Sequence, residues 1–545
     1  MKLHRRLVFI ILALLISWQF WNIVSLAPSP APLQSPTITL VSPTSTESTQ
    51  QSEPDKDLAN LPERWVETLL HFYRLHGADN YCSEVRRFVL DTLVASDSAF
   101  TPELAALLQR QHRMHEAVAN GTPLSNQTYL IWSLSGGLGN RFQSLVSTFM
   151  LALLSERVLL LKDWFTPLPK NSKHNKPLIF PAPYTDEYQL EALQKLFWFS
   201  NPLVSESQPR AENSKLICPI FPMMTVSQFQ SQYPSHFGDA KRAVPSKLGH
   251  VKIDLSARHD KKLLRWTRVA CGNVSDHSKD SDTKFNSDRM HFFFPETFVY
   301  IWTNQYFLPL LFANPFHGAQ MRRLLPVKPY STLLRLLVIP SADVMRRVAL
   351  FFDMQEKRFP QQPLVPGKYV ALQVRAFSFP EMPDLAKAFL KCLKGSSKRH
   401  GEPFFLASMH EPIRSAFAST YNASILRMQS ERVAGDQHTG KGADADIEAL
   451  VDMLLLALGN KVFLSPGSTF GTFSAAFGDI PAVRVNWKEM NSQRSVCEAL
   501  LSLQPCFGSW YKYDHLFQRS NLGSNRSNND IPCTLRPLPT DVMFC

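Results

Sequence analysis

The sequence predicts an α/β fold in which two parallel, doubly wound sheets face each other. A strand–turn–helix–strand order around a glycine-rich loop at 128–161 predicts the first. A longer alternation of short apolar runs and helical segments from 366 to 490 predicts the second. The chain of 545 residues, 44% hydrophobic and 19% charged, is long enough to give both units cores of their own.

The N-terminus reads as a membrane anchor. Residues 1–6, MKLHRR, are basic and precede about 21 mostly apolar residues at 7–27, close to the roughly 20 that a helix needs to cross a bilayer. Basic residues ahead of the span keep the short tail cytoplasmic, and Trp18 and Trp21 suit its interfacial end. A cleaved signal peptide is the rival reading, but Pro28 disfavours cleavage after Ala27. Residues 28–57 are rich in Pro, Ser and Thr, a composition that cannot bury a core and reads as an extended stem. Tail, anchor, stem and large domain form the plan of a type II, single-pass protein of the Golgi membrane with its folded part in the lumen. Five Asn-X-Ser/Thr sequons, at Asn120, Asn126, Asn273, Asn422 and Asn525, agree with a lumen. So do eight cysteines, of which Cys497, Cys506, Cys533 and Cys545 crowd the C-terminus, where they are expected to tie down a loop-rich tail in one of three pairings.

The region 58–127 reads as helical and next to the stem, with heptad-like apolar spacing through WVETLLHFY and VRRFVLDTLV. The first α/β unit follows at 128–365. Within it TYLIW (128–132) is a strand, SLSGGLGNRF (133–142) the turn, and the apolar run to Leu161 a helix and second strand. From 162 to about 320 the pattern is irregular. The second unit, 366–490, holds strands at 368–377, 403–409, 424–429, 461–465 and 481–486, with helices at 412–420, 446–460 and after 466. Residues 491–545 form a cysteine-rich extension. In such Rossmann-like units the ligand lies beyond the carboxyl ends of the strands.

The net charge of +12 fits membrane headgroups or an anionic small molecule. No long Lys/Arg run interleaved with aromatics supports nucleic acid. Arg375 ends the strand VALQVR at the ligand edge, where a guanidinium matches phosphate oxygens in bidentate geometry; a structural ion pair is the competing role. SPGSTFG (465–471) joins a strand to a helix and offers hydroxyls and backbone N–H groups at a helix N-terminus, an anion-holding arrangement, or else a turn chosen for compactness. Asp444-Ala-Asp446 has the form of a metal-binding pair, yet it opens a helix, where acids cap and complement the dipole. The histidines show no metal-ligand spacing.

Three blocks taken together, SGGLGNRFQSLVSTFMLALLSERVLLL, VALQVRAF and DMLLLALGNKVFLSPGSTFG, resemble the plant-type α-1,2-fucosyltransferases, the xyloglucan fucosyltransferase family (glycosyltransferase family 37). TNQYFLPLLF and SVCEALLSLQPCFG extend the resemblance, which covers roughly residues 128–510. It implies a GT-B-like fold, GDP-fucose as donor, a glycan acceptor, galactose through an α-1,2 linkage, inversion at the anomeric carbon, and no metal or other cofactor. The first unit is then the acceptor side and the second the donor side. By motif, Arg375 holds the donor diphosphate; Ser468, Thr469, Phe470, Gly471 and Asp452 contact the donor; and Gly137, Gly139, Asn140 and Arg141 form a loop at the cleft, with Arg141 facing the donor phosphates. The general base is not identified; His438 and Asp163 are candidates. Departures from the family pattern at Asn304 and Lys162 lie on the acceptor side and put xyloglucan galactose in question as the acceptor. Transfer of another nucleotide sugar, or a catalytically silent glycan-binding or scaffold role, are the alternatives. Oligomeric state is not legible.

Overall fold

The structure, a computed structural model, describes residues 64–94, 100–123, 127–133, 137–161, 221–234, 250–254, 298–303, 305–376, 382–396, 402–422, 426–428, 443–490 and 495–505. All of them belong to one compact unit running from Asn60 to Cys545. The expected anchor and stem lie outside the described residues, as do Asp163 and His438.

Two helices open the described chain, α1 (Trp65–Val94) and α2 (Pro102–Ala119). A positive φ of 69° at Gly77 kinks α1 into two segments, a conformation glycine adopts without steric cost. Thr101 caps α2 by accepting the Leu104 N–H, with Pro102 at the first position, where its missing N–H costs nothing.

The first sheet contains β1 (Tyr129–Ser133), β2 (Val158–Leu161), β3 (His250–Asp254) and β4 (Phe298–Trp302), in the order β2-β1-β4-β3, with every pairing parallel. Helix α3 (Leu138–Leu154) connects β1 to β2, and α4 (Val226–Gln232) lies between β2 and β3 in the chain. Strands β3 and β4 fall in the stretch that reads as irregular from sequence. Their five-residue runs are too short to declare a period, and pairing alongside β1 is what makes them strands.

Helices α5 (Leu308–Ala313), α6 (Gly318–Leu324), α7 (Pro329–Leu337) and α8 (Ala342–Arg358) lead into the second sheet. There β5 (Val370–Gln373), α9 (Met382–Ser396), β6 (Phe404–Ala407), α10 (Glu411–Thr420), β7 (Leu426–Met428), α11 (Ala443–Ala457), β8 (Lys461–Leu464), α12 (Thr469–Gly478) and β9 (Ala482–Val485) alternate; every element except α9 falls where the sequence pattern expects it. The final strand, β10 (Cys497–Ala499), adds antiparallel to β9 beyond the point where the sequence pattern ends. The order is β10-β9-β8-β5-β6-β7. From β5 the chain steps outward to β6 and β7, then returns to the other side for β8 and β9. The β5/β8 boundary is therefore the topological switch point, where ligands of such sheets bind.

Both sheets are covered on both faces, as parallel sheets require. Alternate residues of β1 divide accordingly: Tyr129 and Ile131 pack with Met114 and Val118 of α2, while Leu130 and Trp132 turn the other way. In β5, Val370 and Leu372 pack with Phe389 of α9 and Phe417 of α10, and Ala371 points to the opposite face. The inward sets of both sheets meet in one continuous core with Phe142 and Phe149 of α3, Leu450 and Leu454 of α11, and Phe473 and Phe477 of α12. Three helices shared by both sheets thus fill the space between them.

Cys497 does not pair inside the C-terminal cysteine cluster. It is bonded to Cys392 of α9, fastening β10 to the helix that covers the outer face of the second sheet. The sequence offers no local signal for this partner, since 105 residues separate the two.

Candidate active site

The ladder between β5 and β8 ends at the pair Gln373 and Leu464. Beyond it the chain after β8 turns toward α12, and side chains take over the bonding. The Arg375 N–H donates to Ser465 Oγ at 2.9 Å. Ser465 Oγ donates to the Gln373 carbonyl at 3.4 Å, and the Ser465 N–H reaches both that carbonyl (3.2 Å) and Gln373 Oε1 (3.3 Å). On the other flank, the Val374 N–H donates to the Ala407 carbonyl at 3.1 Å, and His410 Nε2 lies 3.0 Å from the Ala376 carbonyl oxygen.

A shallow cleft opens at these strand ends, lined by Gln373, Val374, Arg375, Ala407, Ser408, Met409, Asp452 and Phe470. Asp452 comes from the middle of α11 and is 1% exposed, an acid set in an otherwise apolar helix run, LVDMLLLAL. Arg375 and Asp452, singled out separately from the sequence, therefore line one site.

The SPGSTFG turn delivers the N-terminus of α12 to the same cleft. Gly467 has φ 67°, which lets the chain reverse after β8. Ser468 is the N-cap: its side chain accepts the Gly471 N–H at 3.4 Å, and its carbonyl accepts the Thr472 N–H. Ser468 and Gly471 thereby engage each other. The N–H groups of Thr469 and Phe470 have no intrahelical carbonyl to bond, as at any helix start. Gly471 permits close packing on the sheet, since a Cβ there would lie 2.9 Å from Leu464 Cβ and 3.0 Å from Gln373 Oε1.

The glycine-rich loop reaches this place from the other sheet. Gly137 is the N-cap of α3, and Asn140 is half-buried in the first turn. A Cβ on Gly139 would sit 2.7 Å from the Thr469 carbonyl carbon and Oγ1, and 2.8 Å from the Phe470 nitrogen. The first turns of α3 and α12 are thus in backbone contact, and Phe142 stacks on Phe473 one turn further in, with centroids 4.5 Å apart. The close approach expected of this glycine is to the helix that forms the cleft wall.

Arg141 departs from its expected placement. The sequence reading has it facing the donor phosphates; in the structure it is fully buried, and its Nη1 donates to Asp446 Oδ2 of α11 at 2.8 Å. Helix packing explains this, because the side chain leaves α3 toward α11 in the core between the sheets. Asp446 is correspondingly a long-range ion-pair partner in addition to an acid near a helix start.

Sequence reasoning missed Ser465, Gln373 and His410. A glutamine within an apolar strand was the available signal for Gln373; the other two stand in turns that only the tertiary arrangement brings together.

Comparisons with known proteins show the following similarities. The family described as "Xyloglucan fucosyltransferase" matches residues 104–167. "Probable fucosyltransferase 9" of Arabidopsis thaliana is 24% identical over 392 residues, covering 70% of this chain and 66% of that protein. "Galactoside 2-alpha-L-fucosyltransferase" of Pisum sativum is 24% identical over 410 residues, covering 71% and 63%. The chain thus spans about two thirds of the length of these relatives. Among solved structures, a mutant of Arabidopsis thaliana FUT1 in complex with GDP is similar at 18% identity, covering 76% of this chain and 86% of that one, with a TM-score of 0.48. The chain is therefore similar to the plant-type xyloglucan fucosyltransferase family, through a family match over residues 104–167 and relatives at 24% identity.

Proposed function

We propose that the protein transfers L-fucose from GDP-fucose to a glycan hydroxyl, α-1,2 to galactose and with inversion, without a divalent metal, as a GT-B-like enzyme anchored in the Golgi membrane. The observation that carries this reading is the convergence of Arg375, the buried Asp452 and the start of α12 at one cleft on the β5/β8 switch point.

Each group has a use in such a transfer. The guanidinium of Arg375 pairs with the diphosphate, and the N–H groups of Thr469 and Phe470 with the helix dipole add to it. As the bond from the fucose C1 to the phosphate oxygen breaks, negative charge grows on the departing GDP, and donors fixed beforehand stabilise that state more than the ground state. Asp452, an acceptor-only carboxylate when ionised, complements the N–H edge of guanine and gives the cleft a reason to select GDP. Asp446, engaged with Arg141, is already compensated by a buried cation, which supports reading the Asp-x-Asp pair as structural.

The test uses the full-length chain in detergent with GDP-fucose and a panel of galactose-terminated glycans. GDP release dependent on acceptor and undiminished by EDTA is expected, and Arg375→Ala should lower turnover about 10²–10³-fold, the usual loss for one such donor. Equal use of GDP-mannose would favour another sugar donor. No binding of GDP at all would leave a glycan-binding or scaffold role.

A further inference from the structure

Arg375 sits one residue past the point where the sheet can hold it. The last parallel pairs of β5 are Gln373 with Leu464 on one side and with Ala407 on the other. In a continuing ladder the Arg375 N–H would find a carbonyl of the neighbouring strand. Here the chain has turned into 465–468 to start α12, and no β8 carbonyl is in register. A buried N–H without an acceptor costs about 1–3 kcal/mol. The Ser465 hydroxyl occupies that acceptor position, receiving the Arg375 N–H at 2.9 Å while donating to the Gln373 carbonyl. Ser465 is itself held: it is 1% exposed, its N–H is bonded to Gln373, and its carbonyl accepts the Ser468 N–H at 3.2 Å. One hydroxyl thus links the strand carrying the arginine to the turn that launches α12.

We infer that Ser465 is a positioning residue for the diphosphate clamp: its hydroxyl extends the β5/β8 pairing by one bond and so fixes the Arg375 backbone against the N-terminus of α12. The inference rests on the donor-site reading above. Its consequence is selective. Displacing Arg375 relative to Thr469 and Phe470 weakens contacts to phosphates, whereas the nucleoside end of the ligand, at Asp452 on a different element, is untouched.

Binding of GDP and of guanosine to the purified full-length chain, measured by calorimetry, separates this role from general loosening. In Ser465→Ala the dissociation constant for GDP should rise about tenfold, the scale of a lost or misplaced charge-assisted contact, while that for guanosine stays within about twofold. Ser465→Cys, which keeps the volume but has a weak acceptor, should show the same selective loss and covers the case in which the alanine variant folds poorly. In an Arg375→Ala background, Ser465→Ala should add less than about a twofold further loss, because residues acting as a unit are not additive. Equal weakening of GDP and guanosine, no weakening of either, or a full second loss in the Arg375→Ala background would overturn the inference while leaving the donor site standing. A wild-type chain that binds neither ligand would overturn both.

Discussion

Replacing Gly139 by alanine places a methyl group where the first turn of α12 already is. The added Cβ would stand 2.7 Å from the Thr469 carbonyl carbon and 2.8 Å from the Phe470 nitrogen, both backbone atoms that cannot rotate away. Ordinary contact needs about 3.4 Å or more, so the two helix starts must separate by roughly 0.7 Å or the α3 backbone must distort. Overpacking of this kind costs about 1–3 kcal/mol. The functional effect should exceed the stability effect, since Thr469 and Phe470 carry the N–H groups proposed to face the diphosphate, and misplacement near 1 Å can cost about 10²-fold in rate. Urea denaturation followed by fluorescence gives the first quantity, and fucose transfer per folded molecule gives the second. A Gly139→Ala protein with unchanged unfolding midpoint and unchanged turnover would refute the claim that this glycine exists for contact between the two helix starts.

Four further outcomes follow from the geometry. Asp446→Asn should destabilise the fold by about 3 kcal/mol, near the low end for one-sided loss of a buried pair because Asp446 retains some exposure. The Arg141→Met and Asp446→Leu double variant should lose less than the sum of its parts in a urea double-mutant cycle; strict additivity would mean the pair is not coupled. Burial pushes His115 down to about 3 and His317 down to about 4, below the 6.5 of an exposed histidine. The unfolded chain therefore binds the extra protons, so stability is fully present above about pH 6.5 and is lost as pH falls toward the folded values. At pH 5 the loss is about 2 kcal/mol for each, and His115→Gln should flatten the profile between pH 7 and 5 by about that amount. A Cys392→Ala and Cys497→Ala double variant should lose about 2–5 kcal/mol for a loop of this size, read from its urea midpoint against oxidised wild type.

The second sheet was legible because its strands from Val370 to Val485 are mostly apolar runs bounded by turn residues and most of its crossover helices have their own period, although α9 was not singled out. The first sheet was half legible. Strands β1 and β2 flank a glycine turn, but β3 and β4 are separated by long stretches with no pattern, and only pairing with β1 defines them. Arg375, Asp452 and Phe470 were singled out by motif position, and the structure brings them to one cleft. Arg141 was misplaced because a sequence shows that a cation stands near a cleft and not which way its helix turns it. The partner that claims it, Asp446, lies 305 residues away. Ser465 was passed over as one of several small turn residues, since its value depends on where a neighbouring strand ends.

The core shared by the two sheets has an evolutionary consequence. In a protein whose halves touch only across a solvent-filled groove, one half can be exchanged for a relative's with little penalty. Here α3 of the first half is packed into α12 of the second down to a backbone contact at Gly139, and Phe142 and Phe473 complete each other's surroundings. A chimera joining the second sheet's half to a foreign first half would have to keep α3 along with it.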